Sequence, residues 1–296
     1  MRLLAGVFVC VAALGANREV AITIDDLPRG GDGGSTAYEA LRAMTTKLLE
    51  PFRKDKIPVT GFVNAGRGGL SDADLTKVLN QWLDAGADLG NHSYSHLNIN
   101  DGISLADYTA DITKGEPVLR SVLQARGKQL VYYRHPFLFT GPTVEIKREM
   151  QTFLDTHHYR VAPVTFDDSD YEYAKLYLMP EFRERVRIEY VPYMESVVQF
   201  FERRSVEVVG REFPQILLIH ASQMNADLMP ELLAMFRKRG YTFISLDHAL
   251  ADPAYQLPEE YVGRGGFSWI HRWSKTKGMP GKGEPDPPKW VEDASK

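Results

Sequence analysis

Cysteine is almost missing from this sequence: among 296 residues only Cys10 is one, and it lies inside the N-terminal apolar run. A chain cleaved after that run would hold none, which excludes a disulfide framework. Positive charge is not in excess either, with 35 Lys and Arg against 39 Asp and Glu and a formal charge of -4. No basic field gathers phosphates, which argues against nucleic acid as a partner. After Leu14 no second long apolar stretch occurs, which argues against stable membrane insertion of the rest of the chain. There is no internal repeat, and the composition fixes no oligomeric state.

What is present begins with Arg2, an apolar run from Leu3 to Leu14, and the small residues Gly15 and Ala16 before Asn17 and Arg18. That order is the pattern of a signal peptide over residues 1–16, and it predicts a secreted or periplasmic protein. The alternative is a buried N-terminal strand or helix. Val9 is too large for the position before a lipidated cysteine, so no lipoprotein anchor is expected.

Apolar runs of strand length then alternate with amphipathic stretches. Val20–Ile24, Val59–Val63, Asp88–Leu89, Leu130–Tyr133, Val161–Phe166, Ile216–Ile219 and Tyr241–Ser245 read as strands. The segments 38–52, 72–85, 104 onward with a kink at Pro117, 143–156, 226–239 and 246–251 read as helices. This βα order implies parallel pairing across a globular part spanning residues 17–252. Residues 171–211 are helical, charged and aromatic, and read as an insertion. From Pro253 to Lys296, Pro, Gly and Lys accumulate and periodicity is lost, so a loosely wrapped or partly disordered extension is expected.

Five polar groups come directly after predicted strands, the place where a parallel barrel collects its active site. Asp25 and Asp26 are adjacent carboxylates that repel unless a cation or proton sits beside them, though a turn would also use such a pair. His92 and His96, at i and i+4, would face one way on a helical turn and share a metal, although surface or core histidines are the plainer alternative. Ser93 stands where a zinc-peptidase motif has its glutamate, which removes that reading. Asp26, His92 and His96 together make a facial set with positions open for water and substrate. Arg134 has the chemistry to hold a buried carboxylate ionised, or to make a surface ion pair. Asp167 to Tyr171 is an acidic and aromatic strand end, or a turn. His220 ends a buried strand where its pKa suits acid catalysis, or a structural role.

In order and spacing these segments resemble the five motifs of the polysaccharide deacetylases, carbohydrate esterase family 4, whose domain is also called NodB-homology, over residues 20–250. The resemblance implies an α/β fold, a distorted (β/α) barrel of about seven parallel strands with a helical insertion. It implies Asp25 as base and Asp26, His92 and His96 as ligands to a divalent metal, with zinc favoured and cobalt or another divalent ion fitting nearly as well. It also implies Arg134 as the residue orienting Asp25, the His135 backbone N–H as an oxyanion donor, Asp167 as the residue tuning the acid, and His220 as that acid. Pro136, Tyr171 and Leu218 would complete the substrate wall. The expected partner is an acetylated carbohydrate, N- or O-linked. Leu27 replaces the family's glycine, Tyr171 its tryptophan, and Phe137 and Leu138 come after Pro136, so the groove walls differ. The insertion is expected to cover the site and restrict it to short or branched sugars. Two other functions stay open: amide hydrolysis of a non-sugar on the same fold, and carbohydrate binding without catalysis through Trp269, Trp273 and Trp290.

Overall fold

A computed structural model describes residues 18–295 of the chain; the expected signal peptide lies outside the described residues. Within them, seven strands form one parallel sheet: β1 Arg18–Leu27, β2 Val59–Val63, β3 Asp88–Asn91, β4 Tyr132–Tyr133, β5 Arg160–Val161, β6 Gln215–His220 and β7 Tyr241–Phe243. Their order is β5-β4-β3-β2-β1-β6, with β7 also paired to β1. The strand count and the distorted barrel are as the sequence predicts.

The curl of the sheet comes from one segment. Residues 160 and 161 pair with β4, but the same chain runs on so that Phe166 bridges Leu217 of β6. The N–H groups of Thr165 and Phe166 donate to the Ile216 carbonyl at 3.0 Å. A stretch that reads as one strand is thus split, because its two ends serve opposite edges of a closing sheet.

β1 is central and hydrogen-bonds to β2, β6 and β7, so it has no exposed face to mark with polar residues, and Val20 to Leu27 are all buried. Helices α1 Tyr38–Asp55, α2 Asp72–Asp84 and α8 Gln223–Lys238 cover the outside, α1 packing against the other two. Ser71 and Ser222 cap α2 and α8 by accepting N–H bonds from Asp74 and Asn225. The single helix expected from Ser104 is two, α3 Leu105–Lys114 and α4 Glu116–Gln124. The break falls at Gly115, and Pro117 sits in the first turn of α4, where its missing N–H costs nothing. α5 Val144–Thr156 and α9 Leu246–Leu250 complete the barrel helices.

Phe166 closes the core as well as the sheet. It is fully buried, with ring centroids 6.0 Å from Phe201, 6.4 Å from Phe236 and 6.1 Å from Tyr241. Phe166→Ala is expected to lower stability by about 3–5 kcal/mol. A fall in the urea midpoint at unchanged slope is the check.

The insertion is α6 Asp170–Tyr177 followed by α7 Pro180–Val209. Near the middle of α7 the Tyr193 hydroxyl accepts the Ser169 N–H. Further along, Glu202 accepts from Arg18, Arg239 and Tyr241 at the start of β1 and β7. α7 therefore runs down the barrel wall and does not cover the site as expected; only Tyr171, Ala174 and Lys175 of α6 reach the cavity.

The tail also departs from its sequence reading. It forms α10 Trp269–Thr276 and α11 Lys289–Ala294, with Trp269, Ile270, Arg272, Trp273 and Val291 buried. Trp290 packs on Phe182 with ring centroids 5.9 Å apart. These indoles are anchors, not surfaces for stacking sugars.

Candidate active site

The end of β1 is irregular, and the irregularity builds the site. Between Ile24 and Leu27 the strand advances three residues while β2 advances two, from Gly61 to Val63, and Asp26 takes a left-handed φ of 65°. In a regular strand neighbours point to opposite faces. The bulge lets Asp25 and Asp26 both face one cavity.

The imidazoles arrive from the β3 end, on a loop and not on the helical turn expected. Ser93 and His96 have φ of 71° and 57°, so the chain folds back on itself. Asn91 Oδ1 accepts from Ser93 N–H, Ser93 Oγ from His96 N–H, and Asp111 Oδ2 from the N–H groups of Tyr94 and Ser95. These bonds fix the backbone that carries both rings, whose centroids are 4.9 Å apart.

His92 Nε2 is 3.7 Å and His96 Nε2 is 3.5 Å from Asp26 Oδ1, and the three candidate ligand atoms lie within 4.8 Å of one another. Asp26 Oδ1 is buried without a hydrogen-bond partner among the described residues, the state of an atom that a cation would satisfy. His92 Nδ1 lies 2.9 Å from the Arg134 carbonyl, which fixes the proton there and leaves Nε2 as a lone pair toward the cavity. Burial holds both imidazoles below their usual pKa, so they are neutral ligands. Burial pushes Asp26 upward, but its interactions with His96, His220, His92 and Arg67 outweigh that and keep the carboxyl low. These donors fit a divalent cation.

Asp25 sits beside this set, its Oδ2 3.7 Å from His92 Nε2 and 3.8 Å from Arg134 Nη1. Arg134 is fully buried, and its Nη2 donates to Thr23 Oγ1 at 2.8 Å. Its Nη1 has no hydrogen-bond partner among the described residues, so its charge, not a hydrogen bond, reaches Asp25. Burial pushes Asp25 to about 6 against the lowering pull of Arg134, a value suited to a base near neutrality.

Next to Asp25 stands His220, its register partner on the neighbouring strand β6. Its Nδ1 is 2.6 Å from Asp170 Oδ1, and its backbone N–H donates to Asp170 Oδ2 at 2.8 Å. Burial alone would lower this imidazole, but the Asp170 charge and hydrogen bond raise it to about 10. The expectation that Asp167 tunes the acid is therefore corrected. Asp170 opens α6 with a fully buried carboxylate, while Asp167 ends the closing segment and faces the cavity with its pKa pushed to about 7 by burial and by Glu284.

His135 comes just after β4, and its N–H makes no hydrogen bond among the described residues. Leu218 is buried and lines the cavity and Pro136 is buried behind its wall, whereas Phe137 and Tyr171 are about half exposed on its rim. The cavity is about 830 Å³. One cation was missed by the sequence reading: Arg67 Nη1 lies 2.5 Å from Asp26 Oδ2. Arg67 lies a few residues past β2, so the rule that sites gather at strand ends already pointed to it.

Residues 15–152 match the family described as polysaccharide deacetylase, a stretch that holds Asp25, Asp26, His92, His96 and Arg134. Over that stretch, a little under half of the chain, the sequence is similar to the polysaccharide deacetylase family. Solved structures extend the likeness in fold past the matched stretch. A polysaccharide deacetylase from Bacillus cereus superposes with a TM-score of 0.54 at 17% identity, over 77% of this chain and 91% of that one. The chitin deacetylase of Colletotrichum lindemuthianum gives 0.54 at 21% identity, over 79% and 87%. A CE4 family pseudoenzyme from Bacillus anthracis gives 0.50 at 15% identity, over 79% and 66%. No curated protein matches the chain.

Proposed function

We propose that this protein is a divalent-metal-dependent hydrolase that removes N- or O-linked acetyl groups from a carbohydrate. The observation that carries the reading is the juxtaposition of Asp25 with the Asp26, His92 and His96 set, and of His220 with both. Likeness to a group of structures that includes a pseudoenzyme does not by itself establish turnover, whereas a base and an acid in these positions support it.

Asp26, His92 and His96 would hold the cation, and zinc suits one carboxylate and two imidazoles, with cobalt close behind. When bound there, it supplies Lewis acidity toward an acyl oxygen and a more acidic water. Asp25 takes the proton of the attacking water, and Arg134 keeps Asp25 oriented and ionised. The unbonded His135 N–H offers a donor to the developing oxyanion. His220 carries a proton on Nε2, because Nδ1 is committed to Asp170, and delivers it to the leaving amine or alcohol. Acetate and a deacetylated sugar result. Phe137 and Tyr171 suit the faces of sugar rings. The apolar run from Leu3 to Leu14 supports export, where such substrates occur.

The test is acetate release from a panel of acetylated oligosaccharides, before and after chelation and with zinc or cobalt restored. Release that is lost on chelation and recovered with metal is expected. Chelator-resistant release, or cleavage of non-sugar amides alone, would defeat the proposal.

A further inference from the structure

The loop that presents the His135 N–H is held from outside the barrel, by the carboxy-terminal segment. Within it Phe137 and Leu138 are consecutive left-handed residues, with φ of 55° and 56°. Side chains with a Cβ adopt that region only at an energetic cost, because the Cβ crowds the following carbonyl oxygen. Such a conformation persists only where its surroundings over-determine it.

Those surroundings are supplied by residues 264–272. Arg272 is fully buried, and its guanidinium is shared out over the loop and the tail together. Nη2 donates to the Leu138 carbonyl, Nη1 to Thr140 Oγ1 at 3.0 Å and Nε to the Phe267 carbonyl at 3.1 Å. Glu259 lies 3.7 Å from Nη1, and the Trp269 ring lies 4.7 Å from the guanidinium carbon. Gly266 backs the same loop so closely that a Cβ there would stand 1.9 Å from the Phe137 carbonyl oxygen. Phe137 in turn sets its ring against His96, with centroids 4.4 Å apart. Arg264, Gly266 and Glu284 of the tail line the cavity itself.

We propose that the carboxy-terminal segment is a working wall of the site and that Arg272 is a positioning residue, clamping loop 135–140 so that the His135 N–H and the Phe137 ring stay in register with the metal ligands. This assignment rests on the deacetylase reading for its effect on catalysis, but the clamp itself does not. The segment lies outside residues 15–152, so it is a feature of this chain beyond the family match.

Arg272→Met keeps apolar bulk and removes the forked donor. If Arg272 positions the oxyanion donor, kcat falls about 10²-fold while KM changes little, the pattern of an interaction made mainly in the transition state. Arg272→Lys, which retains charge and one donor, recovers part of kcat. Gly266→Ala, pushing on the loop from the other side, reproduces the kcat loss. Arg204→Met is the control: Arg204 ties α7 to the tail through Ser274 and Pro280, away from the cavity, and its loss lowers stability without the kcat signature. Hydrogen exchange gives a readout independent of turnover. Amides of 138 and 139, bonded to the carbonyls of His135 and Pro136, exchange faster in Arg272→Met, while those of 216–219 in β6 do not. Unchanged exchange in the loop, or a kcat loss no greater than that of Arg204→Met, overturns the proposal. A wild-type protein that releases no acetate sinks the deacetylase reading, and the exchange comparison still decides the clamp.

Discussion

Asp25→Asn is expected to cut acetate release by about 10²–10⁴-fold, the range for loss of a positioned base, with one divalent cation still bound per chain. The two results separate because the carboxylates have different tasks. Asp26 lies with His92 and His96, whereas Asp25 stands beside that set with Arg134 behind it. Asparagine keeps the volume and loses the ability to take a proton from water. Rates by released acetate and metal content by calorimetric titration are the measurements. Wild-type turnover in this variant would remove Asp25 from its role. The same assignment fixes a sign for pH dependence. Asp25 acts only when ionised, and burial raises its pKa to about 6. Activity therefore falls as pH drops through a limb at or below about 6, since any positive charge at the neighbouring ligands draws the carboxyl lower.

Much of this site was legible before any coordinates, because the groups that matter end strands in a βα alternation and a parallel barrel delivers strand ends to one mouth. What was not legible depends on backbone conformations that the residue types do not announce. Asp26, Ser93 and His96 are all left-handed, a region that glycine marks in a sequence and aspartate, serine and histidine do not. Hence the two histidines looked like a helical pair and are in fact brought together by a loop. The exchange of Asp167 for Asp170 has a different origin. Both are acidic, three residues apart, and only the bridge from Phe166 to Leu217 decides which one turns toward His220. A carboxylate immediately before the aromatic Tyr171 was the available clue. The tail was misread because Gly and Pro abolish periodicity without abolishing packing. Its burial is carried by isolated side chains such as Trp273 and Arg272, each paired with partners far away in the chain.

Asp170→Asn is expected to leave activity near pH 6 largely intact and to remove most of it at alkaline pH. His220 serves as acid only while protonated, and burial by itself would depress its pKa. The Asp170 carboxylate, 2.6 Å from Nδ1, outweighs that and lifts the imidazole to about 10, so the wild-type acid stays charged throughout the neutral range. Without the negative charge the imidazole returns to, or below, its ordinary value near 6.5. At pH 8 only about one molecule in 30 would then carry the proton, and the rate should fall roughly 30-fold on that account alone. The alkaline limb of the kcat profile thus moves down in the variant. Asn225, which donates to Asp170 Oδ2 and to the His220 carbonyl, keeps the second contact, so the ring is not released outright. Asp167→Asn is the matching comparison: Asp167 makes no hydrogen bond to His220, and its replacement should leave the alkaline limb in place while affecting rates through the cavity wall. An unshifted limb in Asp170→Asn, or an equal shift in Asp167→Asn, would mean that proton delivery is not governed by the Asp170–His220 pair.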